Sequence, residues 1–258
     1  LCPRDILKEN KTKFISFVSL ILKKADVFVV LTKEMESYLI EERIPKKRIR
    51  IIPNGVDTKI FKPLEREATI SKKTAMGYKD KRIILYVGRL VQQKGLFFLL
   101  EAFKYICKKY LDTILLLVGI GPLLKELIDY VDSTGVKEKV RFLGALDSPL
   151  DFFQIADIFV LPSQQEGITV ALLEAMACGL PCVVTEASRP IVQNKENGII
   201  VPFANPEALS SAILEILNDS RLAYFLGKNA RKLVVENYDI DMVATRYTHL
   251  FESLLENA

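Results

Sequence analysis

Two glutamates bracket a nearly apolar stretch of the sequence, EGITVALLE at residues 166–174. The stretch continues into EAMACG, and between Val170 and Cys178 the one polar side chain is Glu174. A helix that is apolar on all sides is buried, and an ionised carboxylate there is costly unless hydrogen-bond donors meet it. Glu174 is therefore predicted either at an exposed edge of the helix or at a site where a ligand's hydroxyl groups donate to it.

Cationic side chains follow a predicted strand in the loop GRLVQQKG, residues 88–95. Arg89 and Lys94 stand just before a helical pattern, and two cations beside a helix N-terminus suit a diphosphate. A solvated loop with ordinary surface charges is the alternative. The loop PSQQEGITV provides a second anion contact, because the backbone N–H groups of residues 167–169 would point at a phosphate.

The glutamates and the cations together indicate a class of ligand. Two carboxylates near a phosphate site would repel the phosphate, so Glu166 and Glu174 are better matched to hydroxyl groups. A ligand with a diphosphate between two polyols, as in a nucleotide sugar, fits both kinds of charge. The pair of glutamates taken alone is also compatible with chance, and the loops around it favour a site.

Composition and charge exclude several classes of protein. The 258 residues, 50% of them hydrophobic, can bury a large core, and a net charge of +4 is too small to indicate a nucleic-acid partner. The basic cluster PKKRIR is interpreted as solvated surface. With four cysteines, no CxxC spacing and one histidine, no convincing zinc site can be assembled, and reduced thiols in a cytoplasmic protein are expected.

The N-terminal part of the sequence carries neither a membrane span nor a targeting signal. FISFVSLIL, residues 14–22, is well short of the ~20 apolar residues that a transmembrane helix needs. The start lacks an initiator methionine and a signal-peptide pattern, so the sequence is expected to begin within a longer protein.

Short β-branched runs alternate with helical patterns along most of the chain, which predicts an α/β fold with a doubly wound parallel sheet. The predicted strands are residues 26–31, 49–53, 82–88, 113–119, 140–144, 157–162 and 181–185. Ligands of such sheets lie outside the carboxyl ends of the strands. The glycine loop VGIGP does not complete a GxGxxG fingerprint because Leu124 stands where glycine is needed, so an NAD-dependent oxidoreductase is nearly excluded.

A linker with two prolines, PNGVDTKIFKPLE at residues 53–65, divides the chain. Residues 1–56 are too short for a complete sheet and resemble the tail of a preceding domain. Residues 57–238 contain a full doubly wound unit, and residues 239–258 form a final helix. DID at 239–241 is interpreted as the N-cap of this helix rather than as a metal-binding motif. That helix is expected to expose an apolar face, built from Met242, Val243, Tyr247 and Leu250.

Several of these stretches together resemble the retaining glycosyltransferases of family 4. PSQQEGITVALLEAMACGLPCVVT has the spacing of that family's E-x7-E signature, and IIPNGVDTKIF, YVGRLVQQKG, VGIGP, RFLG, ADIFVLPS and NGIIV match its other stretches in order. The resemblance implies the glycosyltransferase B fold, which has two Rossmann-like domains. This chain would be its C-terminal half: residues 1–56 a remnant of the acceptor domain with the linker, 57–238 the donor-binding domain, and 239–258 a helix crossing back, with a hinge near residues 54–57.

The resemblance also implies a role for each candidate residue. Arg89 and Lys94, beside Gly88, would neutralise the donor diphosphate without a metal or other cofactor, and with Glu166 they form the catalytic set. Glu174 would accept from the ribose hydroxyls. The remaining donor contacts are Gly167, Ile168 and Thr169 at the sugar and phosphates, and Gly119, Leu143 and Gly144 around the base. Retention is expected through front-face attack, with the leaving diphosphate taking the acceptor's proton.

One loop departs from the family pattern. Where relatives have a Gly-Gly followed by Pro-Glu near the sugar, this sequence has EASRPIVQN at residues 186–194, and its side chains are expected to narrow or close the sugar site. A saccharide or lipid-linked acceptor, with peripheral membrane contact, is the implied partner. The alternative function is a non-catalytic nucleotide-sugar binding module. The chain alone is expected to bind the donor and hydrolyse it slowly, without efficient transfer.

Overall fold

The computed structural model describes residues 25–256, and the predicted apolar run at residues 14–22 lies outside this range. The described part contains strands that we number in chain order. They are β1 (Phe28–Val30), β2 (Ile49–Ile51), β3 (Arg82–Val87), β4 (Thr113–Val118), β5 (Val140–Gly144), β6 (Ile158–Leu161), β7 (Cys182–Thr185) and β8 (Ile199–Val201).

α-Helices alternate with these strands up to β7, a 3₁₀ turn lies between β7 and β8, and the chain is helical after β8. The α-helices are α1 (Lys33–Glu41), α2 (Arg66–Ala75), α3 (Leu96–Lys109), α4 (Leu124–Thr134), α5 (Leu150–Ile155), α6 (Val170–Ala177), α7 (Pro206–Asn218), α8 (Ser220–Asn237) and α9 (Ile240–Leu255). Two 3₁₀ turns bear on the site, Gln92–Lys94 before α3 and Glu186–Ser188 after β7.

Strands β3 to β8 form a six-stranded sheet in the order β5-β4-β3-β6-β7-β8, and every pair in it is parallel. The predicted doubly wound α/β sheet is confirmed. Residues 83–86 of β3 are fully buried, as are all four residues of β6, because helices cover both faces of the sheet. Strands β1 and β2 pair in a separate two-stranded parallel sheet.

The order of the strands places a topological switch point between β3 and β6. From β3 the chain proceeds outward through β4 and β5, then returns to β6 and proceeds the other way through β7 and β8. In open α/β sheets the crevice at such a point, outside the carboxyl ends of the strands, is where ligands bind. The loops at residues 88–95 and 162–169 follow β3 and β6, so the fold brings both candidate loops to this crevice.

The final helix α9 contacts the N-terminal segment. Val243 and Leu250 are buried against Ile52 and are flanked by Val27 and Tyr247. The expectation that this apolar face is exposed was therefore wrong for Val243 and Leu250, because residues 25–56 cover it. Asp239 caps the helix by accepting from the Asp241 N–H at 3.0 Å, and it also accepts from the Thr58 hydroxyl. This confirms the cap predicted for DID.

No helix within residues 25–256 combines the length and apolarity needed to cross a bilayer. Cys107, Cys178 and Cys182 are buried free thiols. Burial raises the pKa of Cys107 to about 11 and that of Cys178 to about 12, so both thiols are protonated near neutral pH.

Candidate functional site

A cleft of about 1150 Å³ lies at the switch point, between the N-terminal segment and the large sheet. The loops after β3, β6 and β7 form one wall, and α1 with the residues before it forms the other. Of the residues predicted for the site, this cleft brings six together: Arg89, Lys94, Glu166, Gly167, Ile168 and Thr169. Gly88, Gly119, Leu143, Gly144 and Glu174 do not line it.

An ion pair between the two candidate loops occupies the floor of the cleft. Lys94 Nζ lies 2.5 Å from Glu166 Oε1, and the side chains are only 13% and 7% exposed. The hydroxyl of Thr169 donates to Glu166 Oε2 at 2.7 Å. Glu166 is thus held by one partner on each oxygen, while the Lys94 ammonium, which has three N–H donors, keeps two for a ligand.

Backbone contacts hold the two loops together around this pair. The Gln164 N–H donates to the Gln93 carbonyl at 2.8 Å, and Gln93 Nε2 donates to the Gln165 carbonyl at 3.2 Å. Gly95 links Lys94 to α3 with a left-handed φ of 65°, and a Cβ there would overlap the Pro162 carbonyl oxygen. Only glycine tolerates both the left-handed φ and the close approach of the Pro162 carbonyl, so Gly95 sets the position of Lys94.

Arg89 presents an exposed side chain to the cleft, and within residues 25–256 its guanidinium makes no hydrogen bond or ion pair. The backbone of Arg89 is held in place because the Tyr86 hydroxyl donates to the Arg89 carbonyl at 2.8 Å. Burial raises the pKa of Tyr86 well above its ordinary value, so the hydroxyl stays a donor. Arg89 is therefore an available cation on a fixed turn.

The chain before α6 offers unused backbone donors. Within the described residues, no acceptor meets the N–H groups of Gly167, Ile168 and Thr169, which immediately precede the helix. The Asn54 side-chain amide donates to the Ile168 carbonyl at 2.7 Å, which ties this turn to the linker. Free N–H groups at a helix N-terminus form an anion-binding site.

Glu174 lies one helical turn into α6, on the side that is not packed in the core. It is half-buried, and no residue within 25–256 donates a hydrogen bond to it. Burial raises the pKa of Glu174 to about 6. The sequence predicted either an exposed edge of the helix or a site for a ligand's hydroxyl groups. The half-buried placement, without a donor among residues 25–256, is compatible with both, and the role of Glu174 at a ribose stays a prediction.

Gly119 and Gly144, the glycines predicted around the base, lie next to each other at the ends of β4 and β5, and Gly88, a predicted donor contact at the end of β3, lies against Gly119. The Gly119 N–H donates to the Gly144 carbonyl at 2.7 Å, and the Gly88 N–H donates to the Val118 carbonyl at 3.0 Å. A Cβ on Gly119 would overlap the Gly88 carbonyl, so this close approach of backbones requires glycine. Leu143, in β5, is half-buried.

The loop after β7 lines the cleft without closing it. Glu186, Ala187, Arg189 and Pro190 form part of the wall of this cleft of about 1150 Å³. The loop was expected to narrow or close the sugar site. What the structure adds is a charge, since Arg189 is exposed on this wall.

Some residues of the site carried no recognisable signal in the sequence. Tyr86 stands within the apolar strand RIILYV, where an aromatic residue indicates core packing, and its hydroxyl contact depends on the turn that follows. Asn54 was assigned only to a hinge. Thr32 and Tyr38 enter the cleft from α1 and its cap, and one sequence position cannot show which face a short helix turns to a distant loop.

The fold and the cleft define an α/β protein with a cleft, lined by cationic side chains, at the switch point of its sheet. Residues 68–233 match the family described as "Glycosyl transferases group 1", and residues 5–60 match "Glycosyltransferase Family 4". The chain belongs to the group 1 glycosyltransferases, with the α/β half of a glycosyltransferase B fold. The family assigned from the sequence is confirmed.

Individual relatives agree with this assignment. A UDP-Gal:alpha-D-GlcNAc-diphosphoundecaprenol alpha-1,3-galactosyltransferase of Escherichia coli is 27% identical over 254 residues, covering 93% of this chain and 65% of that protein. Sucrose-phosphate synthase from Thermosynechococcus elongatus is 28% identical with a TM-score of 0.84, covering 98% of this chain and 64% of the other. This chain therefore spans less than two thirds of the length of these relatives.

Anabaena HepE, solved in complex with UDP and glucose, has a TM-score of 0.80 over 88% of this chain and 63% of its own. At 18% identity this likeness concerns the fold alone. The large sheet is thus the same α/β unit in proteins whose sequences have diverged widely.

Proposed function

We propose that this chain binds a nucleotide-diphosphate sugar in the cleft and is the donor-binding half of an enzyme that transfers the sugar to an acceptor. The single observation that supports this most strongly is the convergence, at the switch point, of available cationic donors with free backbone N–H groups. Arg89 and Lys94 supply the cations, and residues 167–169 supply the N–H groups. The E. coli relative, whose name begins with UDP-Gal, supports the same class of ligand.

The diphosphate would lie between Arg89, Lys94 and the start of α6. Lys94 keeps its bond to Glu166 and donates its remaining protons to phosphate oxygens. Glu166, already fixed by two donors, retains lone pairs for a sugar hydroxyl. Glu174 accepts from the ribose hydroxyls, which explains a half-buried carboxylate without a protein partner. Gly88 contacts the donor beside Arg89, and Gly119, Leu143 and Gly144 contact the base through their backbones.

We infer a retaining mechanism of the front-face type. The bond from the sugar C1 to the diphosphate oxygen breaks, and C1 forms a bond to the acceptor oxygen on the same face. The acceptor's proton passes to the departing phosphate oxygen. Negative charge grows on the diphosphate in the transition state, so Arg89 and Lys94 contribute most there. No metal is assigned to this step, because the two cations and the N–H groups already meet the charge.

A saccharide or lipid-linked acceptor, reached from the cytoplasm at the membrane surface, is the partner we propose. The E. coli relative, whose name contains a diphosphoundecaprenol-linked acceptor, supports this class, and the buried free thiols are consistent with a reducing compartment. No nucleic acid is proposed as a partner. A non-catalytic nucleotide-sugar binding module is the second candidate, and the altered loop at residues 186–194 is the observation that favours it.

Nuclear magnetic resonance of a nucleotide sugar incubated with the chain tests the catalytic part. UDP-glucose, GDP-mannose and ADP-glucose, each an α-linked donor, are the probes, and the anomer released first is recorded before mutarotation. Slow release of the α anomer, lost in Arg89→Gln, is the expected result. Release of the β anomer would overturn retention. A chain that binds donor but leaves it intact would favour the binding module.

A further inference from the structure

Arg189 is a third cation on the cleft wall, in a different loop from Arg89 and Lys94, the two cations assigned to the diphosphate. It follows the 3₁₀ turn Glu186–Ser188 after β7, whereas Arg89 follows β3. Both line the same cleft. Within residues 25–256, the Arg189 guanidinium makes no hydrogen bond or ion pair. An unpaired arginine on the wall of a binding cleft is a candidate for ligand recognition.

The backbone that carries Arg189 is fixed. Its N–H donates to the Glu186 carbonyl at 3.1 Å, and the Ser188 carbonyl accepts from Ile191 and Val192 at 3.0 and 2.9 Å. Ile191 and Val192 are 3% and 1% exposed, so the loop is anchored in the core directly after the turn.

Acidic side chains near Arg189 are either occupied or on the other wall. Glu186 Oε2 accepts from the Phe203 N–H at 3.2 Å, and Glu166 is held by Lys94 and Thr169. Glu34 and Glu41, on α1, line the opposite wall, and within the described residues Arg189 bonds to neither. The charge of Arg189 is therefore available to a bound molecule.

We propose that Arg189 is a specificity-determining residue that binds a second oxyanion of the substrates, separate from the donor diphosphate. A guanidinium has donors only, in a planar fork that matches a carboxylate or a phosphate, whereas a neutral hydroxyl would satisfy one of five N–H groups. The oxyanion is either the carboxylate of a uronic acid on the donor or a phosphate on the acceptor. This inference depends on the proposed function.

Calorimetric titration of the full chain with matched probes tests the proposal. The neutral donors are UDP-glucose and GDP-mannose, and the anionic donors are UDP-glucuronic acid and GDP-mannuronic acid. N-acetylglucosamine 1-phosphate and N-acetylglucosamine, each with the free nucleotide present, form the acceptor pair. Arg189→Gln is compared with the wild type, and Arg221→Gln, an exposed arginine on α8 away from the cleft, is the matched control.

Arg189→Gln is expected to weaken binding of one anionic probe by about tenfold or more, the size of a charge-assisted hydrogen bond, and to leave UDP, GDP and the neutral probe unchanged. If the variant loses affinity for the uronate donors, the oxyanion belongs to the transferred sugar. If it loses affinity for the sugar phosphate, the oxyanion belongs to the acceptor. If Arg189→Gln and the wild type bind every probe with equal affinity, or if the variant loses as much affinity for UDP and GDP as for the anionic probes, this inference would be overturned and the proposed function would stand. Failure of the wild type to bind any nucleotide would overturn the proposed function and this inference with it.

Discussion

Replacing Glu174 by glutamine should make the ligand-free protein more stable while weakening its binding of nucleotides. The carboxylate is half-buried in α6 without a donor among residues 25–256, and burial raises its pKa from 4.5 to about 6. A pKa raised on folding means that the protonated form is favoured in the folded state. The carboxylate therefore costs nothing below pH 4.5, and the cost grows as the pH rises and is complete above about pH 6.

The size of the effect follows from the shift. A rise from 4.5 to about 6 corresponds to ~2 kcal/mol at neutral pH. Since the side chain keeps contact with water, we discount this to ~1 kcal/mol. Glu174→Gln removes the charge and nearly preserves the shape, so its free energy of unfolding at pH 7.5 should exceed that of the wild type by ~1 kcal/mol. The difference should vanish near pH 4.5.

Urea unfolding at pH 7.5 and pH 4.5 measures this difference, with Glu252→Gln, an exposed glutamate on α9, as the matched control. Calorimetry on the same proteins measures nucleotide binding, which should weaken about tenfold or more because an amide is a poorer partner for two ribose hydroxyls. A variant no more stable than the wild type at pH 7.5 would refute the burial argument. Unchanged nucleotide affinity would refute the ribose role.

Three other perturbations test the site from different directions. Lys94→Met leaves the Glu166 carboxylate buried without its cation, so it should lower the free energy of unfolding by ~3 kcal/mol. Adding Glu166→Gln should recover part of that loss. If Lys94→Met alone is as stable as the wild type in urea, the Lys94–Glu166 ion pair does not stabilise the fold. Gly95→Ala combines a left-handed φ with overlap on the Pro162 carbonyl, whereas Gly77→Ala, at φ 79° with open space around it, meets only the first penalty. Thermal unfolding should therefore rank Gly95→Ala as less stable than Gly77→Ala by more than ~1 kcal/mol, and equal stabilities would show that the loop contact yields easily. Nucleotide binding should be the same in EDTA as in magnesium, and loss of binding in EDTA that magnesium restores would contradict the assignment of the diphosphate to Arg89 and Lys94.

The parallel sheet could be predicted because its strands are short, apolar and β-branched. Residues 82–88 and 113–119 were predicted as strands, and β3 and β4 end within one residue of those bounds. Glycine and proline after the strands also marked the loops correctly, because those residues end regular structure. Periodicity was therefore sufficient for the main sheet.

The sequence predicted which loops form the site, but it predicted the contacts between their side chains less well. Arg89, Lys94 and Glu166 were placed in one site from their charges and from the position of each loop after a strand. The direct pairing of Lys94 with Glu166 was not predicted, because both had been assigned to the ligand. The face of α9 was misjudged because its cover, Ile52, lies far away in the chain, before the whole of the large sheet.

The claim that the cleft holds a nucleotide diphosphate is tested most directly by calorimetric titration of the chain with UDP, GDP and ADP. The corresponding monophosphates are titrated in parallel, and Arg89→Gln is compared with the wild type. We predict that one diphosphate binds, that its monophosphate binds at least about tenfold more weakly, and that Arg89→Gln removes most of this difference. A folded chain that binds none of the three, or binds mono- and diphosphates equally, would contradict the claim.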